Sequence, residues 1–422
     1  MREWLERIDL RSSTRILYSA FSIVVLVLTI LICLNAPAQP HFKNLRNNDV
    51  WFGEGWYYTD SAKEAGKPQQ VDAQSKHYLR LRTQGGYVSI SKTLDFEPLP
   101  EEYLCFRARA LDTTVYVNGK VWYEHHFRTE YRSYSRRMYM IHQMPAHGLK
   151  KGDTITISLY NETGRDSSTV QFVAVGDRYA LERYILDCSM NSLLVCVAAL
   201  ILILLNLIVS HSAILVDKQH DVRSLRCLTA FLALAIIYVG TDSGCLEIFA
   251  ERISIVSWLN NLSLVMLPIP FLLFLSHAFF PGHKRYEALA FLSFAVAAAS
   301  VVSFAVFARN ISDFYPVVHL IIGGIILAVC VSLVQEKMIL SLEAFVGFLA
   351  ISISTAASVV FYWHEIIYPC SIIFGYGLLV FGSCMLVWIV RNRNEINRMR
   401  EEADFVLMER DKEAAQEASE QK

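Results

Sequence analysis

Two stretches hold the residue types best suited to binding a small polar molecule. Trp51-Phe-Gly-Glu-Gly-Trp-Tyr-Tyr58 sets aromatic side chains between glycines. The faces of Trp51, Trp56 and Tyr58 can stack on sugar rings while Glu54 accepts hydrogen bonds from hydroxyls; core packing of a first strand is the competing account of the same aromatics. From Arg128 to Tyr139, Arg128, Arg132, Arg136 and Arg137 interleave with Tyr131, Tyr134 and Tyr139. Guanidinium groups grip carboxylates bidentately, so this stretch suits an anionic sugar or a carboxylate. A solvated loop near the anionic outer surface is the competing account of the same residues, and the favoured one.

Catalytic constellations are weak by comparison. His125 and His126 are adjacent, and neighbours in a strand point to opposite faces, which disfavours joint chelation of a metal. His142 and His147 flank Pro145 and read as surface or turn histidines. Carboxylates for glycoside hydrolysis can be gathered among Glu97, Glu101, Glu102 and Asp112, but proximity in sequence is poor evidence for such a pair. Gly-x-Ser-x-Gly, Walker and His-Glu-x-x-His patterns are absent. The expectation is a non-catalytic chain with no metal site and no cofactor.

The elements that must position these residues belong to a membrane protein. Of 422 residues, 54% are hydrophobic, more than ordinary globular chains carry. The net charge of -1 gives no support to nucleic-acid binding, which needs a basic surface. Crossing a ~30 Å hydrocarbon layer takes about 20 apolar residues as helix. The chain offers this at Ile16 to Leu34, Cys188 to Ser210, Ile253 to Phe280, Ala288 to Ala308, Phe314 to Gln335, Ala344 to Trp363 and Ile366 to Val390. A shorter stretch, Cys227 to Thr241, extends backwards past a snorkelling Arg226. Lys and Arg concentrate before the first span and after the second, fourth, sixth and last, which places both termini in the cytoplasm and the insert after the first span outside. The first span reads as a retained anchor, with a cleaved signal peptide as the alternative because Ala36-Pro37-Ala38 looks like a cleavage site. Of nine cysteines only Cys105 lies in the insert, so no disulfide staples that domain; Cys245 and Cys370, on the outer side, read as small apolar residues rather than a bridge.

The insert reads as strands. In Thr113-Thr-Val-Tyr-Val-Asn-Gly-Lys-Val-Trp-Tyr-Glu124, Asn118-Gly119 supplies the positive φ angles of a two-residue hairpin turn. Pairing across it sets Val115 opposite Trp122 and Tyr116 opposite Val121, with apolar groups on both faces, and predicts a hairpin buried inside a sandwich. Further strands are expected at Tyr87 to Thr93, Tyr103 to Ala110, Thr154 to Tyr160 and Thr169 to Val175. Short strands with turn punctuation suggest a β-sandwich or jelly roll.

The Val-Tyr-Val-Asn-Gly-Lys hairpin in an outer sandwich, seven spans after it and a cytoplasmic helix beyond resemble the bacterial seven-transmembrane receptors with diverse intracellular signalling modules. The resemblance covers nearly the whole chain and rests mostly on architecture. It implies an outer domain that binds carbohydrate-like or other small ligands and an output module such as a histidine kinase, a diguanylate cyclase or a phosphatase. The domains expected are a cytoplasmic N-terminus (1-15), an anchor (16-34), an extracellular jelly-roll-like sandwich (35-186), a seven-helix transmembrane bundle (187-390) and a cytoplasmic helical linker (391-422).

In that linker Ile396, Met399, Ala403 and Val406 follow 3-4 spacing, as a dimeric signalling helix or an exposed helix face would. The segment after Glu409 resembles the lead-in to the phosphoacceptor helix of histidine kinases, and the expectation is an input half that homodimerises through this helix and feeds an output module or response-regulator pathway outside the given sequence. Within the membrane, Pro268 and Pro270 are expected to kink a span and offer a hinge, and Asn206, Asn260 and Asn261 to hydrogen-bond between helices. The resulting expectation is a plasma-membrane receptor for a small extracellular ligand; an envelope glycan-binding protein or transporter accessory without signalling output is the alternative.

Overall fold

The computed structural model describes residues 43-44, 57-60, 69-70, 79-81, 86-109, 112-126, 140-161, 168-214, 219-249, 253-307, 311-335, 341-364, 371-392 and 408. The expected anchor (16-34) and almost all of the linker (391-422) lie outside the described residues.

Strands occupy the first half. One sheet holds β1 (Lys43–Asn44), β4 (Leu79–Leu81), β6 (Tyr103–Arg109), β9 (Met140–Pro145) and β11 (Ser168–Gly176), with β11 and β6 at its centre. The other runs β3-β2-β5-β10-β7-β8, from β2 (Tyr57–Asp60), β3 (Gln69–Gln70), β5 (Gly86–Thr93), β7 (Asp112–Val117), β8 (Lys120–His126) and β10 (Thr154–Asn161). All described pairings are antiparallel except β1 with β11.

The two sheets share one core. Val88 and Ile90 of β5, Val115 of β7 and Ile155, Ile157 and Leu159 of β10 meet Leu104 and Phe106 of β6 and Val173 and Val175 of β11. Period-two alternation puts these on one face of each strand, and full burial of each such side chain is worth about 1.5–3 kcal/mol. In β11 the parity changes: Val170 points into this core, and so do Val173 and Val175, because a bulge between Val170 and Phe172 inserts one residue.

The Asn118-Gly119 hairpin forms as expected, with φ of 49° and 79°. Asn118 also ties the turn to its neighbour: its Oδ1 accepts from the Thr154 amide at 2.9 Å and its Nδ2 donates to Asp153 at 2.7 Å. Two details of the expectation are corrected. Tyr116 does face Val121, but a register shift next to it places Val115 opposite Tyr123 rather than Trp122. The expected burial holds for only half of the hairpin: β7 is buried at Thr113, Thr114 and Val115, whereas β8 is an edge strand among the described residues and its Val121 is 58% exposed.

Helices follow: α1 (Arg178–Ile214), α2 (Gln219–Asp242), α3 (Cys245–Phe249), α4 (Ile253–Met266), α5 (Pro268–Ala278), α6 (Lys284–Phe307), a short 3-10 turn, α7 (Tyr315–Gln335), α8 (Leu342–His364) and α9 (Ser371–Asn392). Among the described residues seven stretches are long and apolar enough to cross a membrane, α4 and α5 together making one of them. The chain is thus a mixed membrane protein with a two-sheet β domain ahead of a multi-pass helical block. The expected α2 extension past Arg226 is present.

The asparagines stitch the spans together. Asn206 of α1 donates to the Leu225 carbonyl and to Thr229 of α2 at 2.8 and 2.7 Å. Asn260 of α4 donates to the Tyr238 carbonyl and to Thr241 of α2, and Asn261 accepts from the hydroxyl of Tyr315 on α7. With few competing waters in the bilayer, such bonds specify helix neighbours.

Candidate functional site

The informative site is the seam between the β domain and the helical block. A single residue, Asp177, separates the last strand from α1, whose amide at Ala180 is capped by the Asp177 carboxylate at 2.7 Å. α1 begins well before the apolar run expected at Cys188. Its extra turns bring Leu181, Tyr184 and Ile185 against Cys105, Phe172 and Ala174, on the face of the β6/β11 sheet turned away from the sandwich core. Both faces of this sheet are therefore buried, one on the other sheet and one on α1. Burial pushes the Cys105 thiol up to about 12.

Alternation along β6 carries Cys105 and Arg107 to that same second face. Arg107 would be a costly residue there without a partner, and the partner comes from the loop between two spans. Its Nη2 lies 2.5 Å from Glu247 Oε1 and its Nε 3.3 Å from Oε2, with the two side chains only 6% and 3% exposed. This is a two-pronged, charge-assisted contact. Burial pushes the Glu247 carboxyl above the ordinary carboxylate range, opposed by Arg107 and by the amide of Ile141 on β9, while the nearby Asp242 adds to the rise. Asp242, at the end of α2, also accepts from the Ser371 amide at the start of α9, at 3.2 Å. One polar node thus joins β6, β9, α2, α3 and α9.

The turn that presents Glu247 is built for close approach. Gly244 has φ +82°, and a β-carbon there would lie 2.7 Å from the Arg107 guanidinium carbon. The Ser243 carbonyl accepts from Ser189 of α1 at 3.0 Å, and the Ser243 hydroxyl accepts from the Cys245 amide at 3.2 Å. The turn is held from both sides.

Among residues singled out by sequence, Tyr58 lies on β2 opposite Ile90 of β5. Trp51, Glu54, Trp56, Arg128, Arg132 and Arg136 lie outside the described residues, as do Ile396, Met399, Ala403 and Val406. Pro268 and Pro270 are both buried, at the break between α4 and α5. Leu267 keeps right-handed helical angles (φ -54°, ψ -40°) and donates to the Ser263 carbonyl. Lacking N–H groups, the prolines cannot serve the carbonyls of Leu264 and Met266, so the hydrogen-bond ladder is interrupted while the backbone stays helical.

The histidines divide. His126 faces out, 2.9 Å from Glu124, and His147 is exposed. His142 is not the surface or turn residue expected: it is 1% exposed and stacks on Phe106, ring centroids 4.8 Å apart. Burial and the neighbouring His125 lower its pKa to about 3. The Tyr123 hydroxyl, kept protonated by its own burial, lies 3.2 Å from His142 Nδ1. Of the acids considered for hydrolysis, Glu102 accepts from the Leu99 amide and closes a turn. Among the described residues no group of three or more His, Cys, Asp or Glu could hold a metal.

No family model matches the chain, and no curated protein matches it. Among solved structures it is similar to a beta-glucosidase from Kluyveromyces marxianus in complex with glucose, at 10% identity over 32% of this chain and 17% of that chain, with a TM-score of 0.20. A likeness of that size carries no argument about fold or chemistry.

Sequence reasoning missed the Arg107–Glu247 pair. Part of the signal was present: an arginine in the middle of a largely apolar strand, and carboxylates in the short connection between two spans. Neither says which partner it takes.

Proposed function

We propose that this protein is a plasma-membrane receptor: a jelly-roll-like outer domain binds a small ligand, carbohydrate-like or carboxylate, and the helical block relays its state to a cytoplasmic output. The observation that carries the reading is the buried Arg107–Glu247 pair, which fastens the β domain to the loop between two spans. A domain tethered only to display a binding surface has no need of a buried ion pair at its seam, since such a pair adds little net stability but fixes one geometry. The continuous passage from β11 into α1 supports the same reading, because a rigid helix of 37 residues conveys any tilt of the sheet through the bilayer, a length of about 55 Å.

In this reading both termini are cytoplasmic, by the positive-inside bias. Ligand binding shifts a two-state arrangement at the seam, the Pro268 break lets the span of α4 and α5 adjust, and a dimer formed through the linker helix passes the shift to a kinase or other module. The test is titration of the full chain in nanodiscs with cell-wall sugars, simple glycans and small carboxylates, followed by thermal unfolding. Stabilisation by a sugar that Trp56→Ala removes, or by a carboxylate that Arg132→Ala removes, supports the receptor. A protein stabilised by none of them, with the β domain folded, counts against it.

A further inference from the structure

Two cavities adjoin at the Pro268 break. The larger, about 60 Å³, is walled by Phe231, Phe271, Ile325, Val329, Phe348 and Phe374. That is several times the roughly 10–15 Å³ a single water needs, and Ser352 and Thr355 bring the polar side chains to its otherwise apolar described wall. The smaller, about 30 Å³, is walled by Tyr238, His319, Ser358 and Tyr362 among others. It lies toward the β-domain end, since His319 is one turn into α7 and Tyr362 near the end of α8. Leu267, Ile322, Thr355 and Phe374 line both.

Trp363 Nε1 donates to His319 Nδ1 at 3.0 Å, so that ring nitrogen acts as an acceptor in this arrangement. Leu264, whose carbonyl Pro268 cannot serve, lines the smaller cavity. Among the described residues no Lys, Arg, Asp or Glu lines either cavity, and a charged head held by these walls would be desolvated without a counter-ion.

We propose that these adjoining cavities together bind a small uncharged amphiphile, its apolar body against Phe271, Ile325 and Phe348 and one hydroxyl or carbonyl end at Ser358 and Thr355. The site stands apart from the β domain, and its occupancy would bear directly on the broken span, because Leu267 and Pro268 form part of the wall.

The test is photolabelling of the full chain in phosphatidylcholine nanodiscs with a diazirine-bearing octanol, with octanol and octanoate as competitors. Label is expected on Phe271, Ile325 or Phe348, displaced by octanol and at least tenfold less effectively by octanoate. Val329→Trp, which fills the larger cavity, should abolish it. Ser358→Ala, a change small enough to spare folding, should weaken octanol competition roughly three- to tenfold, as the loss of one neutral hydrogen bond does. Mass spectrometry of protein purified without octanol separates the two sources, a neutral membrane lipid carried through purification from a molecule entering from solution. Label spread over lipid-facing residues such as Phe291 and Leu320, or equal displacement by octanoate, would overturn the proposal.

Discussion

Arg107 on β6 and Glu247 on α3, 140 positions apart in sequence, meet at 2.5 Å with both side chains almost wholly withdrawn from solvent. The contact joins the two-sheet domain to the turn between spans and adds a second link between the two halves beside the chain connection through Asp177. Removing one partner strands a buried charge. Arg107→Ala or Glu247→Ala should each cost about 3–5 kcal/mol, whereas Arg107→Met combined with Glu247→Leu should recover most of that. A double-mutant cycle on unfolding of the full chain measures it, and additive single effects would mean the pair is not coupled.

Gly244 permits that contact twice over, through its backbone and its missing side chain. Gly244→Ala must accept φ +82° and a clash with the guanidinium. Gly152, with φ +95° and open space around it, supplies the control. Gly152→Ala should cost about 1–2 kcal/mol from backbone strain alone, and Gly244→Ala about 1–3 kcal/mol more from overpacking. Equal losses in thermal unfolding would show that the close approach is unimportant.

His142 makes the β domain acid-sensitive. Its folded pKa of about 3 lies below the 6.5 of an unhindered histidine, so the unfolded chain binds the extra proton first as pH falls. Stability is complete above about pH 6.5 and declines toward pH 3, with a slope of up to about 1.4 kcal/mol per unit. His142→Phe, which keeps a ring against Phe106, should flatten this part of the pH profile measured by urea unfolding.

Cys105 lies under α1, with its thiol pushed up to about 12. At pH 8 very little thiolate is present and none is accessible, so alkylation should occur only when the seam opens. Tyr184→Ala, which removes a ring packed 5.3 Å from Phe172, should raise the labelling rate of Cys105 at least tenfold without unfolding the sandwich core. An unchanged rate would mean that α1 does not seal this face.

Much of this was legible in the sequence, for identifiable reasons. β5, β6, β10 and β11 announce themselves by alternation of β-branched and aromatic residues between turn residues, and the described spans by unbroken apolar length. β9 escaped because Met140-Ile-His-Gln-Met-Pro145 has one β-branched residue and ends on a proline, a weak strand signal. The Val115 register failed because a bulge leaves no mark in the pairing rule. His142 was misjudged because neighbouring sequence does not reveal that a strand's inward face has a phenylalanine waiting for it. The Arg107–Glu247 pair was out of reach, since burial on the sheet's second face depends on how a helix more than 70 residues downstream, α1, covers it.

If the seam works as proposed, the state of the β domain is felt at the far end of the helical block. Spin labels at His211, near the end of α1, and Asn392, at the end of α9, lie about 50 Å along α1 from its first residue and about 30 Å along α9 from Ser371. Pulsed electron-electron distance measurement on the full chain in nanodiscs, with Glu247 intact and as Glu247→Gln, is the decisive comparison. A shifted or broadened distance distribution is expected when the pair is weakened. Superimposable distributions, with the β domain shown to have loosened, would contradict it.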